Sequence, residues 1–76
     1  MILLQLKTIK EKIVKDNYIK MFQRGDIFVV GINDFAAIFL TRNMANAAYK
    51  KAYMLLSKGL TVEEVEEEIY EPKGKS

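Results

Sequence analysis

Residues 40–71 read LTRNMANAAYKKAYMLLSKGLTVEEVEEEIYE. From Leu40 to Gly59 this stretch holds four basic residues and no acidic one, whereas from Thr61 onward it holds six acidic residues and no basic one. Apolar residues recur at helical spacing in both halves, which predicts two amphipathic helices. Gly59 suits the position just after a helix end, so the stretch predicts a pair of helices joined by a short turn.

Capping residues define where both helices begin. Thr41 or Asn43 is expected to cap the first helix, over residues 42–58, because either side chain can accept a hydrogen bond from a free backbone N–H. The second helix is expected to begin at Thr61, which can form a capping box with Glu64. In that arrangement each side chain accepts a hydrogen bond from the backbone N–H of the other residue.

Upstream of the helices the pattern changes to that of a β-meander. Turn-forming residues recur about every eight or nine positions, and the segments between them are rich in aromatic and β-branched residues. This spacing predicts strands at Tyr18–Gln23, Ile27–Ile32 and Phe35–Thr41, with the second in the centre because it is the most continuously apolar. Gly31 indicates a bulge or a close backbone approach.

Residues 2–15 are compatible with either a helix or a strand. Apolar residues at spacings of four, three and four favour a helix, whereas alternation over Ile2–Thr8 favours a strand; we prefer the helix. The fold class expected is therefore α+β. It comprises a three-stranded antiparallel β-meander packed by a C-terminal helical pair, with an N-terminal helix or, alternatively, strand.

The composition is that of one small globular domain. The chain has 76 residues, of which 50% are hydrophobic and 29% charged. We expect residues 1–71 to form this domain and residues 72–76, which begin at a proline, to be a disordered tail. A chain of this size is marginally stable alone, so self-association is one way for it to bury more surface.

Several functions are disfavoured by composition. The chain contains no cysteine and no histidine, which excludes disulfides and structural zinc and removes the commonest catalytic base and the best nucleophile. Glycines are scattered, so no nucleotide-binding loop is evident. No apolar stretch is long enough to cross a membrane, and no signal peptide is apparent. We expect a cytoplasmic protein that is not an enzyme, with no cofactor, no membrane association and no small-molecule substrate.

Two charged surfaces of the helical pair are candidate functional sites. The acidic residues of 63–71 are interpreted as a solvated helix face, since acids are common at helix starts. The first helix presents a basic and aromatic face that could contact phosphate and bases, or simply be solvated surface. Its residues are Arg42, Asn46, Tyr49, Lys50 and Tyr53.

Two partial family resemblances involve the same region. Ile38-Phe39-Leu40-Thr41 followed by two helices resembles the order of ribbon–helix–helix repressors, which implies DNA binding, although Glu63-Glu64 would repel phosphate at the second helix. The meander followed by residues 55–65 is similar to peptide-recognition domains of the PqqD-like kind, which implies a leader peptide held by an edge strand and a further helix. No site residue is transferred from either resemblance.

The function predicted from the sequence is that of a non-catalytic interaction module, acting through protein–protein contact as a regulatory or accessory factor. Homodimer formation is one form of that contact. An unpaired outer strand, Tyr18–Gln23 or Phe35–Thr41, would accept another chain by strand addition. The alternative is a nucleic-acid-binding accessory protein that uses the basic and aromatic face of the helix 42–58.

Overall fold

The computed structural model describes residues 6–70, which form four strands followed by two helices. They are β1 (Leu6–Val14), β2 (Asn17–Arg24), β3 (Ile27–Ile32), β4 (Phe35–Phe39), α1 (Arg42–Ser57) and α2 (Val62–Tyr70). The strands form one antiparallel sheet in the order β1-β2-β3-β4. The predicted α+β class is confirmed, but the sheet has four strands rather than three.

The additional strand is β1, where a helix was preferred. That preference is wrong for residues 6–14, and the strand alternative ended too early, at Thr8. The cause is a β-bulge between Thr8 and Lys10, which shifts the register of the pairing with β2. Because a bulge changes which face successive residues occupy, it interrupts the alternation that identifies a strand. Residues 2–5, which belonged to the same prediction, lie outside the described residues.

The bulge also directs lysines toward the helices. After it, Lys10 lies opposite Met21 and Lys12 lies opposite Ile19, two buried residues of the inner sheet face. Both lysines consequently occupy positions that are usually apolar, and their stems extend over the core while the amines reach its rim. Gly31, where a bulge or close approach was expected, lies in regular pairing with both neighbours. A Cβ there would be 3.5 Å from the Phe35 carbonyl oxygen, an ordinary contact.

The turn between β3 and β4 is attached to the start of β2. Asn33 has a positive φ of 53°, a conformation that asparagine tolerates better than most residues. Its side-chain oxygen accepts from the Tyr18 N–H at 2.9 Å, and its own N–H donates to the Tyr18 carbonyl at 2.9 Å. Asn33 and Asp34 form a two-residue turn, and these bonds hold β4 in place at one end.

The core lies between one face of the sheet and the helical pair. Helix α1 packs mainly on β2 and β3, whereas α2 packs beside α1 and, among the strands, mainly on β4. Small residues of α1 face the sheet, which allows a close approach of helix and sheet. The largest fully buried side chains are those of Ile19, Met21, Val30, Ile32, Leu56 and Val65.

The ends of the helices follow the predicted capping pattern. The Thr41 hydroxyl accepts from the Met44 N–H at 3.1 Å, so Thr41 rather than Asn43 is the cap. The capping box of α2 is formed in both directions. The Thr61 N–H donates to a Glu64 carboxylate oxygen at 2.9 Å, and the Glu64 N–H donates to the Thr61 hydroxyl at 3.2 Å. The predicted tail, residues 72–76, lies outside the described residues.

The other face of the sheet has no helix across it within residues 6–70. Ile13 and Ile38 are exposed there, and the Lys20 amine lies over the rings of Tyr18 and Phe22, at 6.0 and 5.2 Å from their centroids. The predicted self-association stays a prediction, and this face is one surface open to it. Neither of the helices in this part of the chain is both long and apolar enough to cross a membrane.

Candidate functional site

The two edges of the sheet differ in their ability to accept another strand. β1 contains the bulge and carries lysines 7, 10 and 12, and both bulges and lysines discourage pairing with a further chain. β4 reads FAAIF and has no charged residue, no proline and no bulge. The predicted edge Tyr18–Gln23 is wrong, because β2 lies between β1 and β3. The receptive edge is therefore β4.

The register of β4 identifies which backbone groups point outward. Its two-residue loop makes Ile32 and Phe35 the terminal hydrogen-bonded pair, and pair types alternate along an antiparallel ladder. Ala36 and Ile38 therefore lie in non-hydrogen-bonded pairs and direct their N–H and C=O groups away from β3. Within residues 6–70 no strand pairs with that side of β4.

An apolar groove adjoins the carboxyl-terminal half of this edge. It has a volume of about 450 Å³ and opens between β4, the first half of α1 and the end of α2. Met44, which lines the groove from α1, is 54% exposed. Apolar surface of this kind beside an open strand edge is typical of a binding site for another chain. The groove is lined by Ile38, Phe39, Met44, Ala47, Ala48, Lys51, Glu68 and Ile69.

The two charged residues of the groove neutralise each other. The Lys51 amine lies 3.3 Å from a Glu68 carboxylate oxygen. This pair is the one salt bridge within the described residues. Both side chains are about half exposed, so the pair contributes little to stability. It does, however, leave the rest of the groove without a net charge, which favours an apolar side chain as its occupant.

The flanks of α2 follow from this salt bridge. Val65 and Ile69 face the core, and Glu68 faces α1. Helical residues advance by roughly 100° each, so Glu66 lies on the flank opposite Glu68, and Glu63, three residues earlier, lies beside it. α1 lies mainly over β2 and β3, and packed helices are about two strand spacings apart, so we infer that this second flank of α2 extends beyond the outer edge of β4.

The predicted contact residues lie on the other side of α1, next to β1. The Lys10 amine donates to the Asn46 side-chain oxygen at 2.6 Å and lies 5.1 Å from the centre of the Tyr49 ring. The Lys12 amine lies 5.4 Å from the centre of the Tyr53 ring. These contacts join α1 to the edge strand, and they bring two further cations to the predicted surface.

Only part of the predicted surface is available to a ligand. Asn46 already accepts from Lys10, and the Tyr49 side chain is 3% exposed. Arg42 and Lys50 are exposed and form no salt bridge within residues 6–70. The arrangement supplies positive charge for a phosphate, but it removes the amide and one of the two rings that were expected to contact bases.

Tyr49 has a buried hydroxyl with no hydrogen-bond partner among the described residues. Leaving a polar group in that state costs free energy, because its bonds to water are lost and not replaced. We expect Tyr49→Phe to raise the free energy of unfolding by about 1 kcal/mol. Urea denaturation followed by circular dichroism measures this. Tyr53→Phe, which changes an exposed hydroxyl, is the control and should have an effect below about 0.5 kcal/mol.

The same hydroxyl should make stability depend on alkaline pH. Burial, and to a lesser degree the Glu11 carboxylate, raises the pKa of Tyr49, whereas a phenol in the unfolded chain titrates near 10. Above about pH 10 the folded state therefore binds more protons than the unfolded state, and stability falls. The advantage of Tyr49→Phe over wild type should accordingly grow between pH 8 and pH 10.5, as measured by urea denaturation. A constant difference would contradict this.

Residues that the sequence interpretation missed are the lysines of β1 and the lining of the groove. The preference for a helix over residues 2–15 gave Lys10 and Lys12 no place beside α1, because the bulge conceals the strand alternation. The groove depends on how α1 and α2 separate above β4, and no local pattern encodes that separation. The sequence gives no signal for the groove, because Met44, which is 54% exposed in it, has the helical spacing of a core residue.

The acidic residues of α2 do not form a metal site. Within the described part of the chain, no three carboxylates come close enough together to hold a metal ion. Comparisons of the chain with protein-family models, curated proteins and solved structures gave no significant match. Neither family that the sequence partly resembles is therefore supported, and the site has to be interpreted from its own geometry and charge.

Proposed function

We propose that this protein is a non-catalytic interaction module that binds an extended segment of a partner protein along β4. The observation that carries the proposal is the open, uncharged edge of β4 beside an apolar groove. An exposed edge of this kind is a liability that proteins normally protect, as β1 is protected by its lysines and its bulge. An edge that lacks such protection and lies beside an apolar groove supports the proposal that another chain pairs with it.

Binding would combine backbone pairing with one side-chain pocket. The outward N–H and C=O groups of Ala36 and Ile38 would pair with the added strand and supply affinity that does not depend on sequence. Alternate side chains of that strand point to the helical side of the sheet, and one of them would enter the groove. Phe39 and Met44 line this groove and would select a large apolar residue.

The proposal is tested by selecting peptides from a random display library on the immobilised protein. We expect enrichment of extended, β-branched sequences whose binding shifts the backbone amide resonances of β4 and the groove. Ala36→Pro should weaken the selected peptides at least about tenfold, because proline removes an outward N–H without disturbing the pairs that join β4 to β3.

Ile13→Pro is the matched control. Ile13 is exposed, and its pairing with Tyr18 next to the turn gives it the same outward geometry on the opposite edge, β1. We expect peptide affinity to be unchanged in this variant. Circular dichroism verifies that both variants fold. An equal loss of peptide affinity in both variants, or no loss of affinity in Ala36→Pro, would reject strand addition at β4.

The second candidate function is nucleic-acid binding at the flank of α1 that faces β1. It is favoured by one observation: Lys10 and Lys12 join Arg42 and Lys50 there, and none of the four forms a salt bridge within residues 6–70. It ranks below peptide binding because Asn46 and Tyr49 are already engaged in packing.

Fluorescence anisotropy with a labelled single-stranded oligonucleotide tests this second candidate. Contacts to phosphate would give an affinity that falls steeply as salt rises from about 50 to 200 mM. Lys50→Glu should weaken binding, whereas Lys20→Glu, on the opposite face of the sheet, should weaken it much less. Absence of binding at about 50 mM salt would exclude this function.

A further inference from the structure

We infer that the segment bound along β4 is a basic one from a different protein, with Lys or Arg two residues away from the apolar residue that fills the groove and so on the same face of the added strand. This inference rests on the proposed function and adds the chemistry of the partner. It follows from the charges that stand above the position of an added strand, together with the apolar lining of the groove.

The inferred placement of α2 puts two carboxylates above that position. Glu63 and Glu66 occupy the flank of α2 that extends beyond β4, opposite the flank on which Glu68 meets Lys51. Neither forms a salt bridge or a side-chain hydrogen bond within residues 6–70. A strand added beside β4 would pass beneath both of them, with its alternate side chains directed toward them.

The local field is negative although the chain as a whole is positive. α2 contains five glutamates and no basic residue, and Lys51 of the neighbouring helix is neutralised by Glu68. The formal net charge of the full sequence is +2, so long-range attraction alone would favour an acidic partner. A preference for basic peptides could therefore not come from the net charge of the chain. It would have to come from the glutamates of α2 beside this edge.

The same charges disfavour a second copy of this chain at the edge. In a twofold pairing of β4 with β4, the same flank of α2 from each copy would approach the other across the seam. Glu63 and Glu66 would then face their own counterparts, and like charges across an interface oppose association. The partner that complements this surface has to bring cations.

Two synthetic peptides that differ only in charge test the inference. Both carry the same apolar residue for the groove; at the positions two residues before and after it, which share its face, one has lysines and the other has glutamates. At about 50 mM salt we expect the lysine peptide to bind at least about tenfold more tightly, with the difference shrinking as salt is raised. Glu66→Gln should reduce that preference about threefold, and Glu66→Lys should reverse it.

Glu67→Gln is the matched control, because Glu67 is exposed on the outer side of the same helix and the change removes the same charge. It should leave the preference nearly unchanged. Equal binding of both peptides, still lost in Ala36→Pro, would overturn the basic partner while the proposed function stands. No binding of either peptide, and none of any display-selected peptide, would remove the proposed function itself. A concentration-dependent dimer abolished by Ala36→Pro would identify a second copy as the occupant and overturn the inference.

Discussion

Leu56→Ala is expected to lower the free energy of unfolding by about 3–4 kcal/mol. Leu56 is 1% exposed, near the end of α1, in the core between the helical pair and the sheet. Truncation loses the transfer free energy of the side chain and leaves a cavity that a small core fills only in part. A domain of this length has a total stability of about 4–11 kcal/mol, so this change alone leaves little margin.

Urea or thermal denaturation measures this loss, with Leu40→Ala as the control. Leu40 carries the same side chain but is 76% exposed just after β4. Its truncation should cost less than about 0.5 kcal/mol. If the two variants lost similar stability, the placement of the core beneath the carboxyl-terminal half of α1 would be wrong.

Ala45→Leu is expected to have the second-largest effect, a loss of about 2–3 kcal/mol through overpacking. Ala45 is fully buried on the face of α1 that lies against β2 and β3. A leucine there has no space unless the helix moves away from the sheet. Such a movement would also change the groove, because α1 forms one of its walls.

Ala47→Leu makes the same substitution two residues further along and is the control. Ala47 is exposed and lines the groove, so the larger side chain should leave stability within about 0.5 kcal/mol of wild type. It should instead occupy groove volume and weaken the selected peptides. Comparable destabilisation by both variants in thermal denaturation would contradict the assigned orientation of α1.

The helical pair was predictable because its signals are local. A helix cap needs only a side chain and a backbone N–H three residues away, so the Thr61–Glu64 box, and Thr41 as one of two candidate caps, could be identified without knowing the tertiary fold. The strand Ile27–Ile32 was predicted with its observed bounds because a continuous apolar run between turns indicates a central strand.

The edge strand β1 was not predictable in the same way. Its bulge places Lys10 and Lys12 on the inner face, where their amines meet Tyr49 and Tyr53 of a helix far away in sequence. The apolar residues of a strand with a bulge at this position have the same spacing along the sequence as those of an amphipathic helix. Only pairing with β2, a non-local interaction, decides between the two conformations.

The candidate site, like the fold, was predictable from the sequence only where the signal is local. The basic and aromatic residues of α1 do lie together, since helical spacing alone sets their common side. Whether they remain available depends on β1, which covers Tyr49 and binds Asn46. The groove beside β4 arises only from the packing of α1, α2 and the sheet, so no local sequence pattern identifies it.

The asymmetry between the two edges also limits how large an assembly can grow. A protein whose sheet has two edges open to pairing could form an open polymer, in which one edge of each copy pairs with the opposite edge of the next. Here the lysines and the bulge discourage pairing along β1. A copy that binds a strand along β4 therefore offers no second edge within residues 6–70 for another strand. If β4 binds a partner strand as proposed, each copy should therefore bind one such strand, and its complexes should be discrete and of fixed stoichiometry.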